Sequence, residues 1–250
     1  MNSKFLYIGH RGTRTDLDEN TIHAFKKAIE FGSTHIEFDV RKTKDGEFVI
    51  LHDTSLDRTT SGSGLLKDYK LEDIRKVSTR NNNCSIPLLT EVLLELRGKI
   101  QFIIELKDDG LRKNVPRIVQ NYSLLENCVF SGRLLRDLRS IKKQYPQIST
   151  CYNITKGKDF SIRDLMNSAK NNRNIFKPDL ISLKSTLISS EFIEICQDND
   201  ILSLAWDFLQ FKDPISKIKS LIKLGIDGIL FDDHKNIPII KSWINSSLTI

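Results

Sequence analysis

Short apolar runs rich in β-branched and aromatic residues alternate with longer amphipathic stretches along the chain, and this alternation restricts the fold more than any other feature. It calls for an α/β architecture in which parallel strands are joined by helical crossovers. Candidate strands cover residues 6–9, 35–40, 48–51, 100–106, 128–131, 150–153, 180–183, 202–206 and 228–231. The clearest helical pattern is 21–31, where Ala24, Ala28 and Phe31 share a face, Asn20 is placed to cap the start and Gly32 to stop the end. Others cover about 90–97, 134–144, 191–198, 215–224 and 237–244.

Nine strands are one more than a (β/α)8 TIM barrel uses. The surplus lies at 48–51, which follows 35–40 after a short polar segment containing Asp45-Gly46, a hairpin signal. A hairpin makes that run antiparallel, whereas barrel strands need helical crossovers. The run therefore reads as a β-hairpin extension of the second barrel strand. From 53 to 87 the periodicity gives way to Thr59-Thr60-Ser61-Gly62-Ser63-Gly64 and Asn81-Asn82-Asn83, an expected insertion over the barrel mouth. A length of 250 residues suits one barrel, so residues 1–250 are expected to form a single domain.

No apolar run approaches the roughly 20 residues needed to cross a bilayer, which argues against stable membrane insertion. Met1-Asn2-Ser3-Lys4 runs into a short strand-like segment without the apolar core and cleavage site of a signal peptide, so a cytoplasmic location is expected. Cys84, Cys128, Cys151 and Cys196 form no C-x-x-C pair and read as reduced thiols. The net charge is +6, but Lys and Arg are spread evenly without dense basic blocks, so a nucleic-acid partner is not expected. Oligomeric state leaves no mark on the sequence.

Glu37-Phe38-Asp39 interrupts an otherwise apolar strand. Residues two apart share a strand face, so Glu37 and Asp39 point one way and Ile36, Phe38 and Val40 the other. In a barrel the first pair faces inward, where two carboxylates repel and lose hydration unless a cation compensates. Oxygen donors suit a hard divalent ion, Mg²⁺ or Ca²⁺; a solvated edge strand is the plainer explanation of the same pattern. Glu105 and Lys107 repeat the construction, able to add a third carboxylate and an ammonium for phosphate charge, or simply to form a buried ion pair. His10 and His52 each end a strand before a loop, where a pair of imidazoles can supply one base and one acid. His23 and His35 lie away from the expected mouth, and His234 is a minor candidate.

Assembled in order, these motifs resemble the glycerophosphodiester phosphodiesterase family. The likeness rests on His10-Arg11-Gly12, Glu19-Asn20-Thr21 with Ala24-Phe25 and Ala28, Glu37-Phe38-Asp39-Val40, Thr43-Lys44-Asp45-Gly46, His52-Asp53 and Arg58-Thr59-Thr60. It continues through Ile86-Pro87-Leu88, Glu91-Val92-Leu93, Glu105-Leu106-Lys107, Trp206, and Gly225-Ile226-Asp227-Gly228-Ile229 with Asp232. The resemblance implies a small-molecule phosphodiester substrate, His10 and His52 as the acid–base pair, and Glu37, Asp39 and Glu105 as metal ligands. It also implies that Arg11 and Lys107 hold phosphate oxygens and that Trp206 walls a glycerol pocket. Asp18 stands where the family usually has proline, Asp207-Phe208-Leu209 follow Trp206 where Thr and Asn are expected, and Phe231 and His234 flank Asp232 in place of Thr and Pro. A lipid-directed lysophospholipase D-like relative is the alternative, which would favour a secreted chain or an apolar membrane-binding loop.

Overall fold

A computed structural model describes residues 5–154 and 176–247. Eight parallel strands close on themselves: β1 (Leu6–His10), β2 (His35–Lys42), β4 (Gln101–Leu106), β5 (Cys128–Gly132), β6 (Ser149–Ile154), β7 (Leu180–Lys184), β8 (Leu202–Trp206) and β9 (Gly228–Phe231). Each pairs with the next in this order, and β9 returns to β1. The remaining strand, β3 (Phe48–Ile50), is antiparallel to β2, with Val40 opposite Ile50 and Lys42 opposite Phe48. The architecture is the expected (β/α)8 barrel with a hairpin extension.

The described helices are α1 (Ile22–Glu30), the short α2 (Leu71–Ile74), α3 (Leu89–Leu96), α4 (Leu111–Asn121), α5 (Leu135–Gln144), α6 (Ser190–Gln197), α7 (Pro214–Leu224) and α8 (Asn236–Ser247). Helix α4 has no counterpart among the helical patterns read from the sequence. Pro116 lies in its interior, yet Leu111, Val115, Pro116 and Val119 are buried along one face, and that packing outweighs the proline's missing N–H. The start of α1 also differs: Thr21, not Asn20, is its N-cap, accepting from the Ala24 N–H at 3.1 Å. Gly32 ends that helix as expected, at φ 92°, where a left-handed residue lets its N–H reach the Ile29 carbonyl.

The outward faces of the strands pack on the helices. Ile36, Phe38 and Val40 of β2 join Phe25 and Ala28 of α1, Val92 and Leu96 of α3, and Phe102 and Ile104 of β4 in one cluster. Residues Leu51, Leu56, Leu66, Ile74 and Ile86 form a smaller cluster with Val49 of β3, so the 53–87 segment packs on the hairpin rather than the barrel core. Among the described residues no helix is long and apolar enough to cross a membrane.

Phe38 is fully buried, with its ring centroid 5.8 Å from that of Phe25 and 6.0 Å from that of Phe102. Phe38→Ala should lower unfolding free energy by about 3–5 kcal/mol through lost contact and a residual cavity, measured by urea denaturation. A change below about 1 kcal/mol would show that this layer is not the packed core described.

Candidate active site

The inner face of the barrel changes character from one end to the other. Low in the barrel, Ile8, Ile103, Cys151, Leu180, Leu204 and Leu230 form an apolar plug. Two residues further along the same strands, and so on the same face, come His10, Glu105, Asn153, Ser182, Trp206 and Asp232. Strand register sets polar neighbours side by side at this C-terminal end, with His10 opposite Glu37 and Asp39 opposite Glu105.

Glu37, Asp39 and Glu105 are buried, and each offers a carboxylate oxygen within 4.8 Å of the others. Lys107 Nζ lies 3.0 Å from Asp39 Oδ1 and 2.8 Å from Glu105 Oε1. The Arg11 backbone N–H donates to Glu37 Oε2 at 2.9 Å, and its Nε lies 3.3 Å from Asp39 Oδ2. Asn20 Nδ2 donates to Asp39 Oδ2 at 2.8 Å and Asn153 Nδ2 to Glu105 Oε2 at 3.1 Å. Three carboxylates thus meet two cations. Burial, with repulsion from Asp39 and Glu105, pushes the Glu37 carboxyl well above its ordinary range. Burial would raise Asp39 too, but Lys107 and Arg11 outweigh it and hold that carboxyl low. Asp39 Oδ1, despite its nearness to Lys107, makes no well-formed hydrogen bond. Three converging carboxylates, one of them held in check by the repulsion of the other two, and a buried carboxylate oxygen met only by an ammonium make an all-oxygen donor set that fits a hard divalent cation.

The two imidazoles flank this cluster. His10 donates from Nδ1 to Asp232 Oδ1 at 2.7 Å and is buried. His52 donates from Nδ1 to Asp53 Oδ1 at 2.6 Å and is partly exposed. In both rings the carboxylate holds the proton on Nδ1 and leaves Nε2 as a base. Burial lowers the affinity of both rings for a second proton, against the pull of Asp232 on His10 and of Asp39 on His52. His52 reaches the site because the hairpin turns β3 back toward the barrel: the Leu51 N–H bonds the Asp39 carbonyl at 3.0 Å, and His52 follows.

Arg11, Lys107 and Trp206 also gather at this end. Arg11 and Lys107 are both engaged by carboxylates, the former also by Glu19 at 2.8 Å. The Trp206 ring lies edge-on to His10 at 6.4 Å, and its buried Nε1 has no hydrogen-bond partner. Gly12 draws the first loop against α1; at φ +78°, an added Cβ would lie 2.7 Å from the Ala24 carbonyl carbon. Arg11, Asn20 and Asp207 hold positive φ around the same rim (53°, 60° and 66°), a concentration of backbone strain where polar groups are aimed. A groove of about 500 Å³ opens beside the cluster, lined by Arg41, His52, Glu105, Lys107, Asp108 and Arg133.

Asp232, Asp53, Asn20 and Asn153 are partners that sequence reasoning did not assign. Asp53 could have been found beside His52, and Asp232 just past β9, but the His10–Asp232 pair spans nearly the whole chain. Asn20, expected as a helix cap, instead binds a carboxylate. The other histidines stand apart: His23 is exposed on α1, His35 bonds Thr34 at 2.9 Å, and His234 is buried on Thr13 and edge-on to Phe31.

Comparison with known proteins agrees with this geometry. The profile of the glycerophosphoryl diester phosphodiesterase family matches residues 10–235. The glycerophosphodiester phosphodiesterase of Caldanaerobacter subterraneus subsp. tengcongensis is 32% identical over 249 residues, covering 94% of this chain and 96% of that protein. Among solved structures, an Oleispira antarctica phosphodiesterase in complex with the product sn-glycerol-3-phosphate superposes with a TM-score of 0.79 at 22% identity, covering 96% of each chain. A Thermotoga maritima glycerophosphodiester phosphodiesterase gives 0.74 at 22% identity, covering 97% of this chain and all of that one. On its matching profile and its full-length relative, the chain is an enzyme of the glycerophosphoryl diester phosphodiesterase family.

Proposed function

We propose that the protein hydrolyses water-soluble glycerophosphodiesters, such as glycerophosphocholine or glycerophosphoethanolamine, to sn-glycerol 3-phosphate and an alcohol, with a divalent metal and the His10/His52 pair. The observation that carries this reading is the pairing of two carboxylate-held imidazoles with the buried group Glu37, Asp39 and Glu105 at one end of the barrel. Those three carboxylates would hold Mg²⁺ or Ca²⁺, which when bound supplies charge neutralisation at the phosphate oxygens.

The chain's own groups do the rest. One imidazole, neutral, takes a proton through Nε2 from the attacking oxygen, either of water or of the adjacent glycerol hydroxyl with water then opening the cyclic phosphate, while the other enters the step as imidazolium and gives its Nε2 proton to the departing alcohol oxygen. Asp232 and Asp53 stabilise the imidazolium on whichever ring carries the second proton. Arg11 and Lys107, released from their carboxylate partners when phosphate enters, donate to its non-bridging oxygens. Trp206 walls the glycerol side, and the alcohol leaves through the groove beside Lys107. Residues 1–250 act as one catalytic unit on this reading, the 53–87 segment bordering the mouth through Asp53 and Arg58. The sn-glycerol 3-phosphate bound by the Oleispira antarctica relative supports the product assignment. Four free cysteines, three of them buried, suit a cytoplasmic setting.

Chelation with EDTA should abolish release of glycerol 3-phosphate, and Mg²⁺ or Ca²⁺ should restore it; turnover unchanged by chelation would end the metal assignment. His10→Ala and His52→Ala should each lower kcat by about 10²–10⁴-fold while circular dichroism and melting temperature stay near those of the parent. Near-normal turnover in either variant would remove that ring from the mechanism. Assayed side by side, glycerophosphocholine and glycerophosphoethanolamine should turn over faster than lysophosphatidylcholine; the reverse order would favour a lysophospholipase D-like enzyme.

A further inference from the structure

The two imidazoles are tied together outside the site by an alternating chain of charges. From His52 it runs to Asp53, whose carboxylate accepts from Arg58 Nε at 2.5 Å and Nη2 at 3.2 Å. Arg58 then grips both oxygens of Glu19, at 2.6 and 3.2 Å. From His10 the chain runs to Asp232, which accepts from Arg14 Nη1 at 2.9 Å. Arg14 Nε in turn faces Glu19 Oε2 at 3.7 Å. Glu19, with a side chain only 10% exposed, is where the two arms meet, and Arg11 holds it as well at 2.8 Å.

From this convergence we infer that Glu19 is the positioning residue for both imidazoles, acting through Arg58–Asp53 on His52 and through Arg14–Asp232 on His10. The inference rests on the acid–base reading above only for its effect on turnover. Each aspartate can hold its imidazole in one rotamer and tautomer only if it is itself held, and each is gripped by an arginine that Glu19 orients. The arms are unequal. Arg58 makes bidentate contacts at both ends, which fix direction as well as distance. Arg14 reaches Glu19 only as a looser ion pair, and the Asp232 side has independent support from the Phe208 N–H, which donates to Asp232 Oδ2 at 2.6 Å. His52 should therefore depend on Glu19 more strongly than His10. Opposing arginines outweigh the upward push of burial and bring the Glu19 carboxyl down to about 2, consistent with a permanently ionised junction.

The test is Glu19→Gln in the full-length protein with Mg²⁺ added, observed by imidazole ¹⁵N NMR and steady-state kinetics on glycerophosphoethanolamine. The expected result is a shift of the His52 ring nitrogens toward mixed tautomers, a smaller shift at His10, and a kcat about 100-fold lower with KM within about threefold, the scale of a misplaced catalytic group. Arg58→Met, at a side chain 47% exposed and so tolerant of replacement, guards against a folding failure of the first variant. It should move the His52 signals alone and lower kcat about 10-fold. Unmoved ring signals in Glu19→Gln, or His10 and His52 responding equally to Arg58→Met, would overturn the inference. Shifted rings with unimpaired kcat would uphold the network and overturn the acid–base reading instead.

Discussion

Glu37, Asp39 and Glu105 press against Arg11 and Lys107 inside a closed sheet, and the surrounding structure is arranged around that concentration of charge. Burying a carboxylate without compensation costs several kcal/mol, so each must be met by cations or hydrogen bonds. Asn20, Asn153 and the Arg11 backbone supply part of the answer. The apolar plug below keeps water from reaching the cluster from beneath, so its interactions act in a medium of lower dielectric than the mouth. Arg11 and Asn20, at positive φ on the rim, are held in place by this same pairing.

Much of this could be read from the order of residues. The period of two through Glu37-Phe38-Asp39 correctly separated the inward carboxylates from the outward Ile36, Phe38 and Val40, because a strand between a barrel interior and a helix layer has no other way to satisfy both faces. The Asp45-Gly46 turn likewise marks β3 as antiparallel to β2. Pairings between distant segments were not legible. Nothing near His10 marks Asp232 as its partner, since the pairing exists only once β1 and β9 close the barrel. Asn20 departs from its expected role for a related reason: it has the chemistry of a cap, but Asp39, brought close by the tertiary fold, competes successfully for its amide. Helix α4 stayed hidden because a proline and many charged residues mask an apolar face that only burial reveals.

The departures from the family's usual residues have structural homes. Asp18, in place of proline, accepts from the backbone N–H groups of Asn81 and Asn82 and from the Asn81 side chain, tethering the 53–87 segment to the first loop. Asp207, with its left-handed backbone, pairs with Lys184 at 3.0 Å, while the next residue's N–H supports Asp232. His234 fills a buried corner against Thr13 and Phe31, away from the carboxylate cluster. These changes rebuild the surroundings of the site with polar contacts and leave its central groups in place.

The hairpin that carries His52 behaves as a register gauge. His10, Glu37, Asp39 and Glu105 rise with parallel strands, whereas this imidazole is lowered toward the rim by a strand running back down, after a turn at Thr43 to Gly46. Its height is set by the register of β3 on β2, fixed by Val40 opposite Ile50 and by the Leu51 N–H on the Asp39 carbonyl, and a slip of one residue corresponds to about 3.3 Å of travel. A residue gained or lost on one arm alone would displace the ring by more than a proton can jump and turn it to the other face, so the alignment of this small ladder, as much as the identity of any residue on it, decides whether the two imidazoles can work on the same bond.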